Sequence, residues 1–300
     1  MITAKIIADS YTEIHGTRLT TFELVYPRFI HGELMTHRVF SRNAASSRAI
    51  PIDKVIELVE NTPAMPVHWG ANQAGMQAKA EVSDIERAKT LWFASRDSAV
   101  KYAKAMKDAG LHKQIVNRIL EPYQLMKTIV TATDYNNWFW LRDHEDAQPE
   151  IAELAAVMCV EYTAHIPEEL VTGEWHVPYV KTYRDSHTGE RFYLDENDKY
   201  ITMEEARMIS ASCCAQVSYR KNDGSLEKAS MVFDRLINSV PVHASPVEHI
   251  ATPIQDMPFV DEYLNIEGVT HIDKYYQPHS GNLCGWLQFR QLIANNVKEG

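Results

Sequence analysis

The chain has 300 residues, 45% of them hydrophobic, and a formal net charge of -10. That length and apolar fraction can bury a large core in one or two domains, and the acidic balance argues against a coat for nucleic-acid polymers, which needs excess Lys and Arg. No apolar run approaches a bilayer span, and the opening MITAKIIADSYTE carries charges where a secretory leader needs an apolar core, so the cytoplasm is the expected setting, with no membrane partner.

In chain order, RLTTFELVYP (18–27) has the alternation and β-branched content of a strand. After Pro27 the apolar residues Phe29, Leu34 and Val39 take a helical period, so a helix is expected over 27–50. The Pro- and Gly-punctuated stretch from Asn61 to Val82 reads either as a surface loop or, through Trp69, Asn72, Gln73 and Met76, as something more specific. A long amphipathic helix is expected from Asp84, with Gly110 at its stop and Trp92, Ala99, Ala103 and Met106 on one face. Arg118 precedes a Pro122 expected to end a helix, LMKTIVTAT (125–133) reads as a strand, and helical spacing returns after it. In that second helix Arg142 and Gln148 are interleaved with Trp138, Phe139 and Trp140, a pattern that a Trp-rich core and a solvated Arg–Asp pair would also explain. ERFYLDENDKYITM (190–203) carries a hairpin turn, and Thr202 with Glu205 forms a capping box opening a helix that runs toward Tyr219. The four cysteines, Cys159, Cys213, Cys214 and Cys284, make no C-x-x-C pair, so free thiols are expected. A zinc site from Cys213 or Cys214 with His243 or His249 lacks regular ligand spacing, and no metal site is expected.

The stretch LMTHRVFSRNAASSRAIP (34–51) stands out in this acidic chain. It holds His37, Arg38, Arg42 and Arg48, spaced by serines, with no acid between Glu33 and Asp53. An ordinary surface helix pairs opposite charges at one-turn spacing, so this stretch reads as a pocket for a small anion. No G-x-G-x-x-G or Walker sequence offers a glycine-rich alternative for holding phosphate.

Thr36-His37-Arg38-x-x-Ser41-x-x-x-x-Ser46-x-Arg48 resembles the signature R-H-R-x-x-S-x-x-x-x-S-x-R of the flavin-dependent thymidylate synthases (ThyX), keeping five of its six fixed residues. A second family block, an Arg shortly before a Pro and then L-R-x-x-x-x-A-Q-x-E-I, is matched by Arg118, Pro122 and LRDHEDAQPEI (141–151). Two further family elements, usually N-terminal, resemble RMISASCCAQVSY (207–219) and HASPVEH (243–249), which here follow the second block. The resemblance thus describes a single catalytic domain over 1–300 in permuted order: signature helix 27–50, second block 112–160, and N-terminal-type elements within 203–300. LCGWLQFRQLI (283–293) further resembles a partial second signature, in which Arg290 would supply the arginine that Thr36 lacks.

The resemblance implies an α+β fold, a mainly antiparallel sheet flanked by long helices, assembled as a homotetramer. It implies reductive methylation of dUMP to dTMP, with FAD as cofactor and NADPH and methylenetetrahydrofolate as co-substrates. Carried over by position, Glu33, Asn43, Ser46, Arg48, Arg118, Arg142 and Gln148 would bind the nucleotide, Arg142 also acting on the reacting base. His37, Arg38, Ser41, Asn137, His249 and Arg290 would meet the flavin. The chain departs from the family at Ala44, where a Glu is usual, and at Glu33, where a Gln is usual. A carboxylate suits an exocyclic amino group better than a carbonyl, so dCMP methylation or hydroxymethylation is the alternative reaction, and a silent flavin- or nucleotide-binding relative the non-enzymatic one.

Overall fold

A computed structural model describes residues 1–218 and 222–297. Tyr219, at the end of one expected helix, and residues 298–300 of the C-terminal segment lie outside the described residues.

The chain opens with a long hairpin of β1 (Thr3–Thr12) and β2 (Thr17–Pro27), turning through Gly16 at φ +61°. A 3-10 turn (Arg28–Ile30), a single helical turn α1 (His31–Leu34) and a loop lead to β3 (Ser41–Ala44). Helices α2 (Ile52–Asn61), α3 (Ile85–Asp108) and α4 (Lys113–Val116) and a 3-10 segment (Asn117–Tyr123) precede β4 (Leu125–Ala132). Next come α5 (Asn136–Arg142), α6 (Pro149–Ala164) and β5 (Glu168–Glu169). The principal sheet runs in the order β3-β4-β2-β1-β5, antiparallel except for the β1–β5 edge. A meander of β6 (Lys181–Arg184), β7 (Arg191–Leu194) and β8 (Tyr200–Ile201) leads into α7 (Met203–Ala215) and α8 (Leu226–Ile237). The C-terminal part is built of 3-10 turns and short strands: β9 (Ala251–Pro253), β10 (His271–Ile272), β11 (Pro278–Ser280), β12 (Leu283–Cys284) and β13 (Trp286–Gln288). The architecture is α+β, mainly antiparallel and flanked by helices, as expected.

The principal sheet is covered on both faces, which is why successive residues of β4 from Thr128 to Ala132 are all buried. From one face Phe22, Leu24, Tyr26, Met126 and Val130 pack against Trp138 of α5 and Ile151, Leu154 and Met158 of α6. From the other, Ile129 meets Cys214 and Val217, and Leu19 meets Ala251, Leu283 and Trp286. Each fully buried Leu or Phe contributes about 1.5–3 kcal/mol, so the C-terminal part is joined to the sheet by core burial rather than by a linker.

The expected helix over 27–50 is not formed. Its only helical turns are Arg28–Ile30 and His31–Leu34, and the signature runs instead through a loop into β3, with Ser41 to Ala44 paired to Thr131 to Thr128. Pairing with β4 takes the backbone groups a helix would need, and β-branched Thr36 and Val39 offer weak helical propensity against it. Of the three apolar residues that suggested a helical face, Leu34 is buried while Phe29 and Val39 are exposed. Pro122 sits inside a 3-10 segment rather than after a helix. The long helix is present, with Asp84 accepting from Arg87 N–H as its cap and Trp92, Ala99, Ala103 and Met106 in a core with α2. The 190–203 hairpin and the Thr202/Glu205 capping box also form as expected. The 61–82 segment folds onto the second block: Val67 N–H donates to buried Glu150, Gln77 donates to Asp146 O, and Trp69 meets Trp92 edge-on, while Met76 stands in solvent.

Candidate active site

β3 is an edge strand, and segments remote in sequence complete its surroundings. Asn43 Nδ2 donates to Cys214 O at 3.1 Å, and Ser46 N–H donates to Ser218 Oγ at 2.9 Å. Ser41 Oγ donates to Asn282 Oδ1 at 3.1 Å, and Gln288 Nε2 lies 3.3 Å from Ser41 Oγ, 3.0 Å from Asn282 Oδ1 and 3.1 Å from Glu248 O. Asn282 Nδ2 donates to Val39 O at 2.7 Å. The segments resembling the family's N-terminal elements, α7 and residues 243–249, therefore pack against the signature strand. Between them lies a cavity of about 480 Å³ lined by Arg42, Asn43, Ala215, Val217, His243 and Ser245, among others.

The two arginine blocks meet at His37. Arg142, the last residue of α5, donates from Nε to His37 Nε2 at 3.0 Å and from Nη2 to Thr36 Oγ1 at 3.3 Å. The Thr36 hydroxyl donates in turn to Glu33 O at 2.7 Å. His37 lies edge-on to Trp138 and stacked on Phe40, and burial first, then Arg142 and Arg42, holds its pKa below the ordinary value. An Arg N–H can only donate, so Nε2 accepts and the proton of this neutral imidazole resides on Nδ1. Where the family signature has an arginine, Thr36 is thus an acceptor for Arg142. Among the described residues Arg142 pairs with His37 and Thr36 and not with an Asp, and of the aromatics beside it Trp138 is buried while Trp140 is 75% exposed.

Arg38 and Arg48 are exposed and, among the described residues, make no hydrogen bond or ion pair. Arg118 is exposed and pairs with Glu121 at 2.8 Å, a carboxylate it shares with Arg28. Its neighbour Asn117, fully buried, donates from Nδ2 to Ser47 O at 2.7 Å and Ile50 O at 3.0 Å. This pair of hydrogen bonds from one amide ties together the backbones carrying Arg48 and Arg118. No pattern in the sequence singled out Asn117, Asn282 or Gln288, because their roles arise only from contacts across long separations. The Glu33 carboxylate and the Asn137 amide have no partner among the described residues. Gln148 caps α6, its Oε1 accepting from Ile151 N–H at 3.0 Å and its amide donating to Glu150. Arg290 is ion-paired with Glu248, and its segment is a short strand and a 3-10 turn.

His249 is fully buried, with Nδ1 2.7 Å from Thr131 Oγ1 and Nε2 without a partner among the described residues. The contact continues through Thr21 to His176 and Ser10, all buried. Burial pushes both histidines down to about 3, so both are neutral at pH 7. The cysteines are all free. Burial raises Cys213 to about 12, and burial with Asp273 and Asp134 raises Cys284 to about 11. Neither has the cationic setting of an activated thiolate.

The family model of the thymidylate synthase complementing protein matches residues 4–168, a span that contains both arginine blocks and the whole principal sheet except Thr3 of β1 and Glu169 of β5. The chain belongs to this family, the ThyX family, and is an enzyme of methyltransferase type. Among solved structures it is similar to the UMP/dUMP methylase PolB from Streptomyces cacaoi bound with 5-Br dUMP, at TM-score 0.46 and 15% identity over 55% of this chain and 90% of that one. It is also similar to ThyX from Helicobacter pylori with FAD and dUMP, at TM-score 0.34 and 16% identity over 48% of this chain and 67% of that one. No curated protein sequence matches the chain. Among the described residues no helix is long and apolar enough to cross a membrane.

Proposed function

We propose that the protein is a flavin-dependent thymidylate synthase that methylates dUMP to dTMP with methylenetetrahydrofolate and NADPH. The observation that carries this reading is the meeting of Arg142 with His37 and Thr36, two blocks brought together across a separation of 105 residues. In the same signature, Arg38 and Arg48 present guanidinium groups with no partner among the described residues. We further read residues 203–297 as the family's N-terminal elements in permuted order within one catalytic domain, in a cytoplasmic homotetramer. Exposed Met35, Val39, Trp140 and Leu141, which flank the Arg142 contact in sequence, support a face covered by another subunit.

The donor set suits FAD, whose diphosphate is anionic. Among the described residues Arg38 and the buried His249 Nε2 have no partner, and Ser41 and Asn137 offer polar contacts. Bound FAD would supply hydride to the one-carbon unit on the base. For the nucleotide, Ser46, Arg48 and Arg118 form the phosphate clamp, because planar guanidinium groups grip a phosphate through paired, charge-assisted bonds. Arg118 must exchange its Glu121 partner for phosphate, while Asn117 keeps the two backbones in register. Arg142 holds the pyrimidine and stabilises negative charge developing on it, and neutral His37 fixes that guanidinium by accepting its Nε–H. Asn43, oriented by Cys214 O, faces the cavity. Gln148, which caps α6, contributes by fixing that helix beside Arg142.

The unpartnered Glu33 carboxylate together with Ala44 favours one second reading, dCMP as the substrate of methylation or hydroxymethylation. Product analysis with each nucleotide under identical conditions separates the two. Methylated product from dUMP supports the first reading, whereas product from dCMP alone overturns it. No product and no flavin binding would leave a silent relative.

A further inference from the structure

We propose that Asp273, His279 and Cys284 form a binding site for a zinc-class divalent cation. This site is separate from the proposed nucleotide site and does not depend on that assignment. Asp273 begins the turn of the β10–β11 hairpin, where its Oδ1 accepts from Tyr275 N–H at 2.8 Å and Gln277 N–H at 2.9 Å. That fixes the carboxylate with Oδ2 toward His279 Nε2, 3.3 Å away. His279 on β11 stands directly opposite Cys284 on β12, the closest lateral placement two side chains can have in an antiparallel sheet. A carboxylate oxygen, a ring nitrogen and the Cys284 Sγ lie within 4.8 Å of one another, and all three residues are half-buried.

Tetrahedral zinc holds sulfur at about 2.3 Å and nitrogen or oxygen at about 2.0–2.2 Å, so its ligands sit roughly 3.3–3.8 Å apart. Small side-chain rotations bring these groups to that spacing without moving the strands. A thiolate with an imidazole selects zinc over magnesium or calcium, which prefer all-oxygen ligands, and water takes the fourth position. Binding replaces the Cys284 S–H by a metal–sulfur bond and releases that proton to solvent. The competing account is a plain Asp–His hydrogen bond that steadies the hairpin turn, which would neither engage the sulfur nor bind a cation. The consequence of metal binding reaches the signature. Cys284 N–H donates to Thr133 Oγ1 at 3.2 Å, and Asn282, just ahead of β12, holds Val39 and Ser41. A cation at this point clips the hairpin to the strand that positions the signature loop.

The test is a Co²⁺ titration of the reduced, metal-stripped full chain. The proposal expects a thiolate-to-cobalt charge-transfer band and tetrahedral visible bands that saturate at about one Co²⁺ per chain and are displaced by Zn²⁺. Cys284→Ser should abolish the charge-transfer band, His279→Gln should weaken Co²⁺ binding at least about tenfold, and Cys159→Ser should leave both unchanged. Absence of the band in the unaltered chain, or its persistence in folded Cys284→Ser, overturns the site. If Cys284→Ser does not fold, His279→Gln decides alone, and unchanged Co²⁺ affinity there overturns it equally.

Discussion

Asn117→Ala perturbs the joint between the two arginine blocks while leaving every candidate ligand in place. The side chain is fully buried and donates to two carbonyls, Ser47 O and Ile50 O. Each neutral bond contributes about 1 kcal/mol net, and leaving buried carbonyls short of a donor adds to the loss, so the cost is about 2–3 kcal/mol. With a urea slope of about 2–3 kcal/mol/M this moves the unfolding midpoint down by roughly 1 M at unchanged slope. Asn117→Asp is the sharper variant, because it is isosteric yet turns an acceptor toward two carbonyl oxygens. It should be less stable than the alanine variant at pH 7 and recover as the pH falls and the carboxyl becomes protonated. In kinetics, loosening the backbones of Arg48 and Arg118 should raise KM for the nucleotide about tenfold with a smaller effect on kcat, since the phosphate is remote from the reacting carbon. An Asp variant as stable as the unaltered chain, or a KM unchanged in a folded alanine variant, refutes the reasoning.

Arg142→Lys keeps the charge but loses the Nε–H that His37 accepts, and should lower kcat by about 10²–10³ with phosphate affinity nearly preserved, as read from initial rates and nucleotide binding. Acid sensitivity follows from His176 and His249, both held at about 3 in the fold against an ordinary value of 6.5. The unfolded chain binds more protons below 6.5, so this stabilisation is fully present above that pH and is lost as pH falls toward 3. Between pH 7.5 and 5.5 the two together should remove roughly 2–3 kcal/mol, measured as a fall in urea midpoint; a flat profile would contradict their neutral burial. Cys213→Ala should leave turnover within about twofold, because burial keeps that thiol protonated; loss of turnover in a folded variant would point to a cysteine nucleophile.

Much of this arrangement was legible locally. The β-branched runs of β2 and β4, the Asp84 cap and inward face of α3, and the Thr202/Glu205 box all rest on interactions within a few residues, and each forms as read. The signature was legible as chemistry but not as structure. Its helical spacing was overridden because Ser41 to Ala44 complete an edge of the sheet, a pairing with residues 128–131 that no local pattern announces. The same holds for the partners that orient it. Asn117, Asn282 and Gln288 are ordinary amides in the sequence and become structural only where the chain returns. Arg290, read as supplying the arginine that Thr36 lacks, is paired with Glu248, and Thr36 serves Arg142 directly as an acceptor.

The central claim is a flavin reduced in the presence of its nucleotide. Its most direct test is the visible spectrum of the purified chain with FAD under anaerobic conditions, followed after NADPH is added with and without dUMP. The account predicts flavin bands that disappear, and disappear faster with dUMP bound. Absence of FAD binding, or flavin bands that NADPH leaves unchanged whether or not dUMP is present, would contradict it.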